Sequence, residues 1–128
     1  MIQGIEHVGV LAKDTAALRD WYNRLFGFRT VYDNGKGTYF IMAPDGSMLE
    51  LIKEEEAAPA GGLKTGGLRH LALKVTDTDF EPLVAQLKKE QVVVVTDAAV
   101  SSSGVKTFFF RDPEGNIVHL ISRPKPLG

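Results

Sequence analysis

The chain has 128 residues, no cysteine and a formal net charge of −1 at pH 7. The lack of cysteine excludes disulfides and thiolate metal ligands, and the even charge balance does not favour nucleic acid as a partner. With 44% apolar residues, no run long enough to cross a membrane and no signal peptide, we expect a globular, cytoplasmic protein without a membrane partner.

The first half of the chain predicts a strand, a helix and three further strands. Apolar residues fill the segment 2–12, after which Asp14 or Thr15 can cap a helix. Apolar residues at helical spacing form one face of this helix, and Gly27 can end it. The strands predicted next are 28–32, 38–43 and 47–53, separated by turn sequences. The order is therefore β-α-β-β-β.

The second half predicts the same order of elements. A strand at 68–75 precedes a helix that Thr78 or Asp79 can cap, with Pro82 in its first turn. The segments predicted next are a strand at 91–95, a polar loop at 96–104, and strands at 105–111 and 116–122.

Internal similarity indicates that one module is written twice. The segment 4–12 matches 67–75, and the segment 44–52 matches 113–121. A repeat of this length is too long for a solenoid unit and predicts a duplicated domain. We therefore predict a single domain composed of module one (2–53), a linker (54–66), module two (67–122) and a tail (123–128).

Four polar residues occupy equivalent positions in this repeat. The three histidines, His7, His70 and His119, all fall within predicted strands, and Glu50 takes the fourth place. Both faces of its strand are apolar, which predicts that Glu50 is buried, and a buried carboxylate requires compensation. A single histidine in a strand is more often a hydrogen-bonded core residue, but here all four positions are correlated through the repeat.

Imidazole nitrogen and carboxylate oxygen together suit a divalent transition metal. They are ligands for Ni, Zn, Co, Mn or Fe. We therefore predict one divalent metal ion held by His7, Glu50, His70 and His119, with room for two water or substrate oxygens. A shell that stays open in this way indicates a catalytic site rather than a closed structural one.

Five segments resemble the vicinal oxygen chelate superfamily, which includes glyoxalase I, methylmalonyl-CoA epimerase, extradiol dioxygenases, and bleomycin and fosfomycin resistance proteins. The segments are 5–8, 21–28, 44–51, 69–72 and 112–116. The resemblance implies an α+β fold of two βαβββ modules, forming a curved mixed sheet around a metal-centred cavity. It also implies that the metal ligands come from the first and fourth strands of each module.

The resemblance leaves three functions open. The first is a glyoxalase-like lyase or isomerase, in which the metal chelates a small substrate and stabilises an enediolate. Its candidate catalytic residues are Glu50 and His119. Because His119 stands where glyoxalase I carries a carboxylate, base chemistry would fall to Glu50 or to a group that the sequence does not identify. The alternatives are an iron(II) ring-cleaving dioxygenase and a protein that binds a drug or metabolite without turnover. Relatives commonly pair, so we expect a homodimer, with the site built within one chain or shared between two.

Overall fold

The computed structural model describes residues 5–54, 68 and 70–127. Predictions for the first four residues and for most of the linker lie outside this part of the chain. The chain divides into two compact units, Met1–Pro59 and Ala60–Gly128, and their union in a single domain stays a prediction. The elements are β1 (His7–Ala12), α1 (Thr15–Phe26), β2 (Arg29–Asp33), β3 (Tyr39–Met42), β4 (Met48–Lys53), β5 (Leu71–Lys74), α2 (Asp77–Lys89), β6 (Val94–Val100), β7 (Lys106–Arg111) and β8 (Ile117–Ser122).

The first unit is one four-stranded sheet with α1 packed against it. The strand order is β1-β4-β3-β2, with β1 parallel to β4 and the other neighbours antiparallel. The α1 helix begins after Asp14, whose carboxylate accepts a hydrogen bond from the Ala17 amide. It ends at Gly27 with φ of 70°, a left-handed conformation that glycine adopts without strain. Both boundaries confirm the sequence prediction.

The second unit repeats this topology, with strand order β5-β8-β7-β6. The predicted start of α2 is wrong by two to three residues. Its cap is Thr76, whose hydroxyl accepts a hydrogen bond from the Asp79 amide at 3.2 Å. Asp77 and Asp79 then lie in the first turn, where negative charge favours the helix. Pro82 consequently lies inside the helix rather than in its first turn.

The predicted polar loop at 96–104 is mostly strand. β6 continues to Val100, and a tight turn follows in which the Gly104 amide donates to the carbonyl oxygen of Ser101. The pairing of β6 with β7 shifts register twice, so polar and apolar residues do not alternate along it. Asp97 also forms an ion pair with Lys88 of α2 at 2.8 Å, which places a charge within the strand.

One face of each sheet is buried, and the alternating residues on the other face are available for a site. Leu49 and Leu51 of β4 are buried, whereas Glu50 between them is only half-buried. Phe108 and Phe110 of β7 are fully buried and Phe109 is not. The prediction of an α+β fold with two βαβββ modules is confirmed. Within the described residues, neither helix is long and apolar enough to span a membrane.

Candidate metal centre

In the first unit, the parallel pairing of β1 with β4 brings His7 to Glu50. The Nε2 atom of His7 lies 3.5 Å from Oε1 of Glu50. The Nδ1 atom on the other side of the same ring lies 3.0 Å from Oε1 of Glu6. One imidazole is thus held between two carboxylates, one of which occupies a predicted metal-ligand position.

Glu50 is accessible, and the prediction that it is buried is wrong. Its side chain is 25% exposed and that of His7 is 37% exposed. The apolar pattern of β4 predicts alternation correctly, but only the face of Leu49 and Leu51 is closed over. The opposite face remains open enough for Glu50 to reach a small molecule.

In the second unit, His70 and His119 form a compact imidazole pair. Their ring centroids are 4.5 Å apart and their planes are nearly perpendicular, at 77°. His119 is 5% exposed, whereas His70 is exposed. The pair therefore has one buried member with a fixed environment and one member that faces solvent.

Two of the three histidines do not lie in mid-strand as predicted. His7 is the first residue of β1, and His70 immediately precedes β5. The ladder of the second unit begins with Leu71 opposite Val118, close to the start of β8. Each of these histidines therefore lies at the N-terminal end of the first strand of its sheet, where strand pairing begins.

A phenylalanine lies directly opposite each predicted ligand on the fourth strands. Phe109 pairs with His119 across β7 and β8, and the two rings stack at 4.2 Å. Phe40 pairs with Glu50 across β3 and β4. The Phe40 and His7 rings form an edge-to-face contact with 5.2 Å between their centroids. The sequence prediction missed Phe40 and did not separate Phe109 from its neighbours. Alignment of the third strands of the two modules would have found both.

The residues opposite the same two ligands on the first strands are small. Gly9 pairs with Glu50, and Ala72 pairs with His119. A Cβ atom on Gly9 would lie 3.9 Å from Oε1 of Glu50, which is ordinary van der Waals distance. Small side chains here leave space beside both ligands.

In the second unit, the sheet face that carries His70 and His119 forms one side of a concave hollow of ≈ 570 Å³. This volume lies within the roughly 300–1,000 Å³ that small-molecule sites occupy. Its lining comes from the residue just before β5, from alternate residues of β5 and β8, and from the chain after β8: His70, Ala72, Lys74, His119, Ile121, Arg123, Pro126 and Leu127. The imidazole pair therefore opens into a space of substrate size.

The donor chemistry of both pairs suits a divalent transition metal. The first unit offers imidazole nitrogen with carboxylate oxygen, and the second offers two imidazoles, which are ligands for Zn, Ni, Co, Mn and Fe. Across the described parts of the chain, no group of three or more His, Asp or Glu side chains forms a metal-binding cluster. The structure thus shows two pairs of predicted ligands, and the full four-ligand shell stays a prediction.

Comparison with known families decides the assignment. The model of the Glyoxalase/Bleomycin resistance protein/Dioxygenase superfamily matches residues 4–120. The chain belongs to this superfamily. The resemblance to vicinal oxygen chelate proteins is therefore confirmed, and the match spans both repeat units.

Curated relatives in this superfamily include metallothiol transferases named FosB. The protein of Staphylococcus epidermidis is 24% identical over 120 residues, which cover 94% of this chain and 84% of the relative. The protein of Staphylococcus haemolyticus matches with the same identity and coverage. The chain thus aligns with most of the length of these proteins.

Solved structures with the same fold have lower sequence identity. A glyoxalase/dioxygenase from Nostoc punctiforme superposes with a TM-score of 0.79 at 18% identity, over 96% of this chain and 92% of that one. A variant of the fosfomycin resistance protein FosX from Listeria monocytogenes, complexed with Mn(II) and 1S,2S-dihydroxypropylphosphonic acid, superposes with a TM-score of 0.77 at 16% identity. That superposition covers 99% of this chain and 94% of FosX. These similarities establish the shared fold.

Proposed function

We propose that the protein is a metal-dependent enzyme in which His7, Glu50, His70 and His119 hold one divalent ion. The observation that carries this proposal is the equivalent placement of the two ligand pairs, each with one member at or just before the start of the first strand of its unit and the other on the fourth strand. Relatives support it, because FosB is named a metallothiol transferase and the FosX structure contains Mn(II). The two pairs would complete the shell within one chain or between two copies.

The first candidate reaction is proton transfer of the glyoxalase type, by a lyase or isomerase acting on a small oxygen-chelating substrate. A divalent ion held by these residues would supply Lewis-acid stabilisation of negative charge on two neighbouring substrate oxygens. Glu50 is the residue able to remove and return a proton, because its carboxylate is accessible and lies beside His7. His119 is buried against Phe109, so its role would be to fix the geometry of the site.

A second candidate reaction is opening of the epoxide ring of a small phosphonate by a thiol or water. A C–S or C–O bond forms to one ring carbon as its bond to the ring oxygen breaks, and that oxygen takes up a proton to become a hydroxyl. It is favoured by the relatives, since FosB is named for thiol transfer and the FosX structure contains a dihydroxypropylphosphonic acid. Here Glu50 would accept the proton of the attacking thiol or water. Both candidates require the same accessible carboxylate, so Glu50 is the residue on which the proposal is most directly tested.

The test is a side-by-side assay of wild type and Glu50→Gln, each loaded separately with nickel, zinc, manganese or iron(II). The substrates are the hemithioacetal of methylglyoxal and glutathione, fosfomycin with a thiol or water, and catechol with oxygen. The variant should lose roughly 10²–10⁴-fold in rate. Glu54→Gln, just after β4, is the control and should keep the wild-type rate. Ring cleavage of catechol with iron(II) would instead support the dioxygenase alternative, and absence of turnover with all three substrates would support a binding protein.

Substitution of His119 distinguishes the two candidate reactions. His119→Glu places a carboxylate where glyoxalase I has one, and it lowers the charge of the site by about one unit. If the native reaction is a glyoxalase reaction that is slow because the second carboxylate is missing, this change should raise the rate of hemithioacetal turnover by roughly 10²–10⁴-fold. If His119 serves epoxide opening, the same change should reduce that activity. Full glyoxalase activity in the wild type would show that the second carboxylate is not needed.

A further inference from the structure

The hollow of the second unit has a cationic end opposite its imidazole end. Lys74 lies two residues beyond Ala72 on β5 and pairs with Ile121 of β8. Arg123 lies two residues beyond Ile121, and both cationic side chains line the hollow. His70 and His119 line its other end. His70 lies just before β5 and Arg123 just after β8. Because alternate residues of an extended chain share a face, each of these two segments presents one imidazole and one cation on the same surface.

Neither cation is neutralised within the described part of the chain. No ion pair joins Lys74 or Arg123 to a described carboxylate, and no described Asp or Glu lines the hollow. Two other lysines of this unit are paired, Lys88 with Asp97 and Lys106 with Glu81. Two unneutralised cations on one concave surface raise the local positive potential and attract anions.

The surface between the two ends is apolar. Ala72 and Ile121 lie between the imidazoles and the cations, and Pro126 and Leu127 add an apolar wall. Each imidazole lies four positions along the chain from one cation, which is roughly 13 Å between Cα atoms at about 3.3 Å per residue. The long side chains of Lys74 and Arg123 can shorten the distance that a ligand must span.

We propose that Lys74 and Arg123 form a subsite for the terminal oxyanion of an elongated substrate. The reacting oxygens of that substrate lie at the imidazole end, its hydrocarbon middle crosses Ala72 and Ile121, and its carboxylate or phosphoryl group meets the two cations. Arg123 can bind two oxygens of such a group at once, whereas Lys74 supplies a point charge. This inference rests on the proposed function, because it places the reacting end of the substrate at the predicted metal ligands.

A matched pair of ligands tests the subsite by binding alone. 2-Hydroxysuberate and 2-hydroxyoctanoate share vicinal oxygens and chain length and differ only in the terminal carboxylate. Calorimetry on the zinc-loaded protein should show 2-hydroxysuberate binding roughly 3- to 10-fold more tightly, by an amount that added salt reduces. Lys74→Met and Arg123→Met should each reduce this preference, whereas the exposed helix-end substitution Lys89→Met should preserve it. Equal binding of the two ligands by the wild type would overturn the subsite.

Charge reversal provides a second test that does not depend on loss of function. The double variant Lys74→Glu, Arg123→Glu should reject 2-hydroxysuberate and prefer 8-amino-2-hydroxyoctanoate, which has a cationic tail. A variant that keeps the original preference would overturn the proposal. A third test needs no zinc and uses an analogue of 2-hydroxysuberate in which a phosphonate replaces the distal carboxylate. This analogue should shift the NMR resonances of the backbone amides of residues 72–74 and 121–123. Unchanged resonances would contradict the subsite.

Failure of the subsite is distinguishable from failure of the proposed function. If binding of 2-hydroxyoctanoate depends on zinc and on His70 while the terminal carboxylate adds nothing, only the subsite is wrong. If neither zinc nor His70→Ala changes binding of either ligand but Lys74→Met weakens 2-hydroxysuberate, the subsite stands and the metal site is wrong.

Discussion

The phenyl ring of Phe109 lies parallel to the imidazole of His119, with 4.2 Å between their centroids and 8° between their planes. The two residues face each other across β7 and β8, so strand pairing itself brings the rings together. Stacking on one face restricts rotation of the imidazole and leaves its two nitrogens at the ring edge. A metal approaches an imidazole at that edge, so the stack holds His119 in an orientation suited to a ligand.

Replacement of Phe109 by leucine should weaken metal binding without unfolding the protein. Leucine keeps an apolar side chain but removes the stacked ring, whose contribution beyond buried area is about 0.5–1.5 kcal/mol. We expect metal affinity to fall roughly 2- to 10-fold, measured by titration against a competing chelator. Phe108→Leu is the contrast, because Phe108 is fully buried on the other face; it should lower stability and leave metal affinity unchanged. Equal affinities in wild type and Phe109→Leu would contradict the role of the stack.

Removal of His70 should reduce the metal content of the reconstituted protein. We expect about one divalent ion per chain in the wild type and at least about tenfold weaker binding in His70→Ala, since loss of even an outer-shell partner costs roughly 10–100-fold. Elemental analysis after removal of free metal measures the difference. Ser103→Ala, in the turn between β6 and β7, is a control. The same metal content in all three proteins would exclude His70 as a ligand.

Asp112 should be essential for the stability of the turn before β8. It is 5% exposed, and its carboxylate accepts hydrogen bonds from the amides of Glu114 and Asn116 and from Nδ2 of Asn116, at 2.9, 3.0 and 2.8 Å. Loss of these bonds leaves the donors of Glu114 and Asn116, both half-buried, without their acceptor. Asp112→Ala should therefore lower the free energy of unfolding by about 2–4 kcal/mol, measured by urea denaturation.

The corresponding turn of the first unit provides the control for this prediction. Ala43 takes the place of Asp112 there, with the same backbone hydrogen bonds to Ser47 and from Gly46. The nearby carboxylate of Asp45 is exposed and bonds to Ser47, which lowers its pKa. Asp45→Ala should thus cost less stability than Asp112→Ala. Equal losses would show that burial of Asp112 is unimportant.

The ion pairs of Lys106 should make the stability of the second unit depend on pH. Its Nζ atom lies 2.8 Å from Glu81 and 2.9 Å from Asp77, and these contacts join β7 to α2. Lys106 lowers the pKa of Glu81, and Glu81 in turn raises the pKa of Lys106. Stabilisation through Glu81 is therefore present above the ordinary carboxyl pKa and is lost as pH falls through the lowered value.

Lys106→Met should accordingly lower the melting temperature at pH 7 and by less in acid. The difference from wild type should also shrink at alkaline pH, because stabilisation through Lys106 is lost as pH rises through its raised pKa. Salt should reduce the difference, since the carboxylates are exposed. Lys89→Met controls for a general effect of charge. A loss in Lys106→Met that is constant from pH 2 to 7 would contradict this account.

We predict a homodimer on the basis of the exposed sheet edges. All of β2 is exposed, with Tyr32 at 53%, and on β6 the side chain of Val100 is 63% exposed. Edge strands with exposed apolar residues invite pairing with another chain. Light scattering at micromolar concentration should give twice the chain mass, and Val100→Lys or Tyr32→Lys should reduce it if that edge is used. A strictly monomeric mass for the wild type would refute the prediction.

Local sequence signals were sufficient for α1 and for the order of elements. Apolar residues at helical spacing, a capping carboxylate at Asp14 and a terminating Gly27 are all short-range features, and each acts as predicted. Most strands are predictable because short runs of β-branched and other apolar residues are bounded by turn residues. The start of α2 was missed because Thr76, Thr78 and Asp79 are all competent caps, and only the backbone conformation before the helix selects Thr76.

Features that depend on pairing between distant strands were not predictable from local patterns. The pairing of β6 with β7 is irregular in register, so the sequence of β6 lacks the alternation of polar and apolar residues that identifies a strand. The alternation around Glu50 indicates two faces, but it does not tell which face another element covers. The positions of Phe40 and Phe109 beside the predicted ligands follow from strand register. The predicted ligands themselves came from the repeat, which relates distant residues directly.

The small residues beside Glu50 and His119 have a practical consequence for protein engineering. The backbone of Gly9 is not left-handed, and an added Cβ atom would meet only Ile52 and Glu50 side chains at 3.6 and 3.9 Å. Position 9 can therefore be varied from glycine to alanine or serine with only ordinary van der Waals contact to Glu50. Position 72, opposite His119, is the equivalent place in the second unit. A library of variants at positions 9 and 72 would reduce the space beside Glu50 and beside His119 independently. Variants with larger side chains there should favour shorter or narrower substrates.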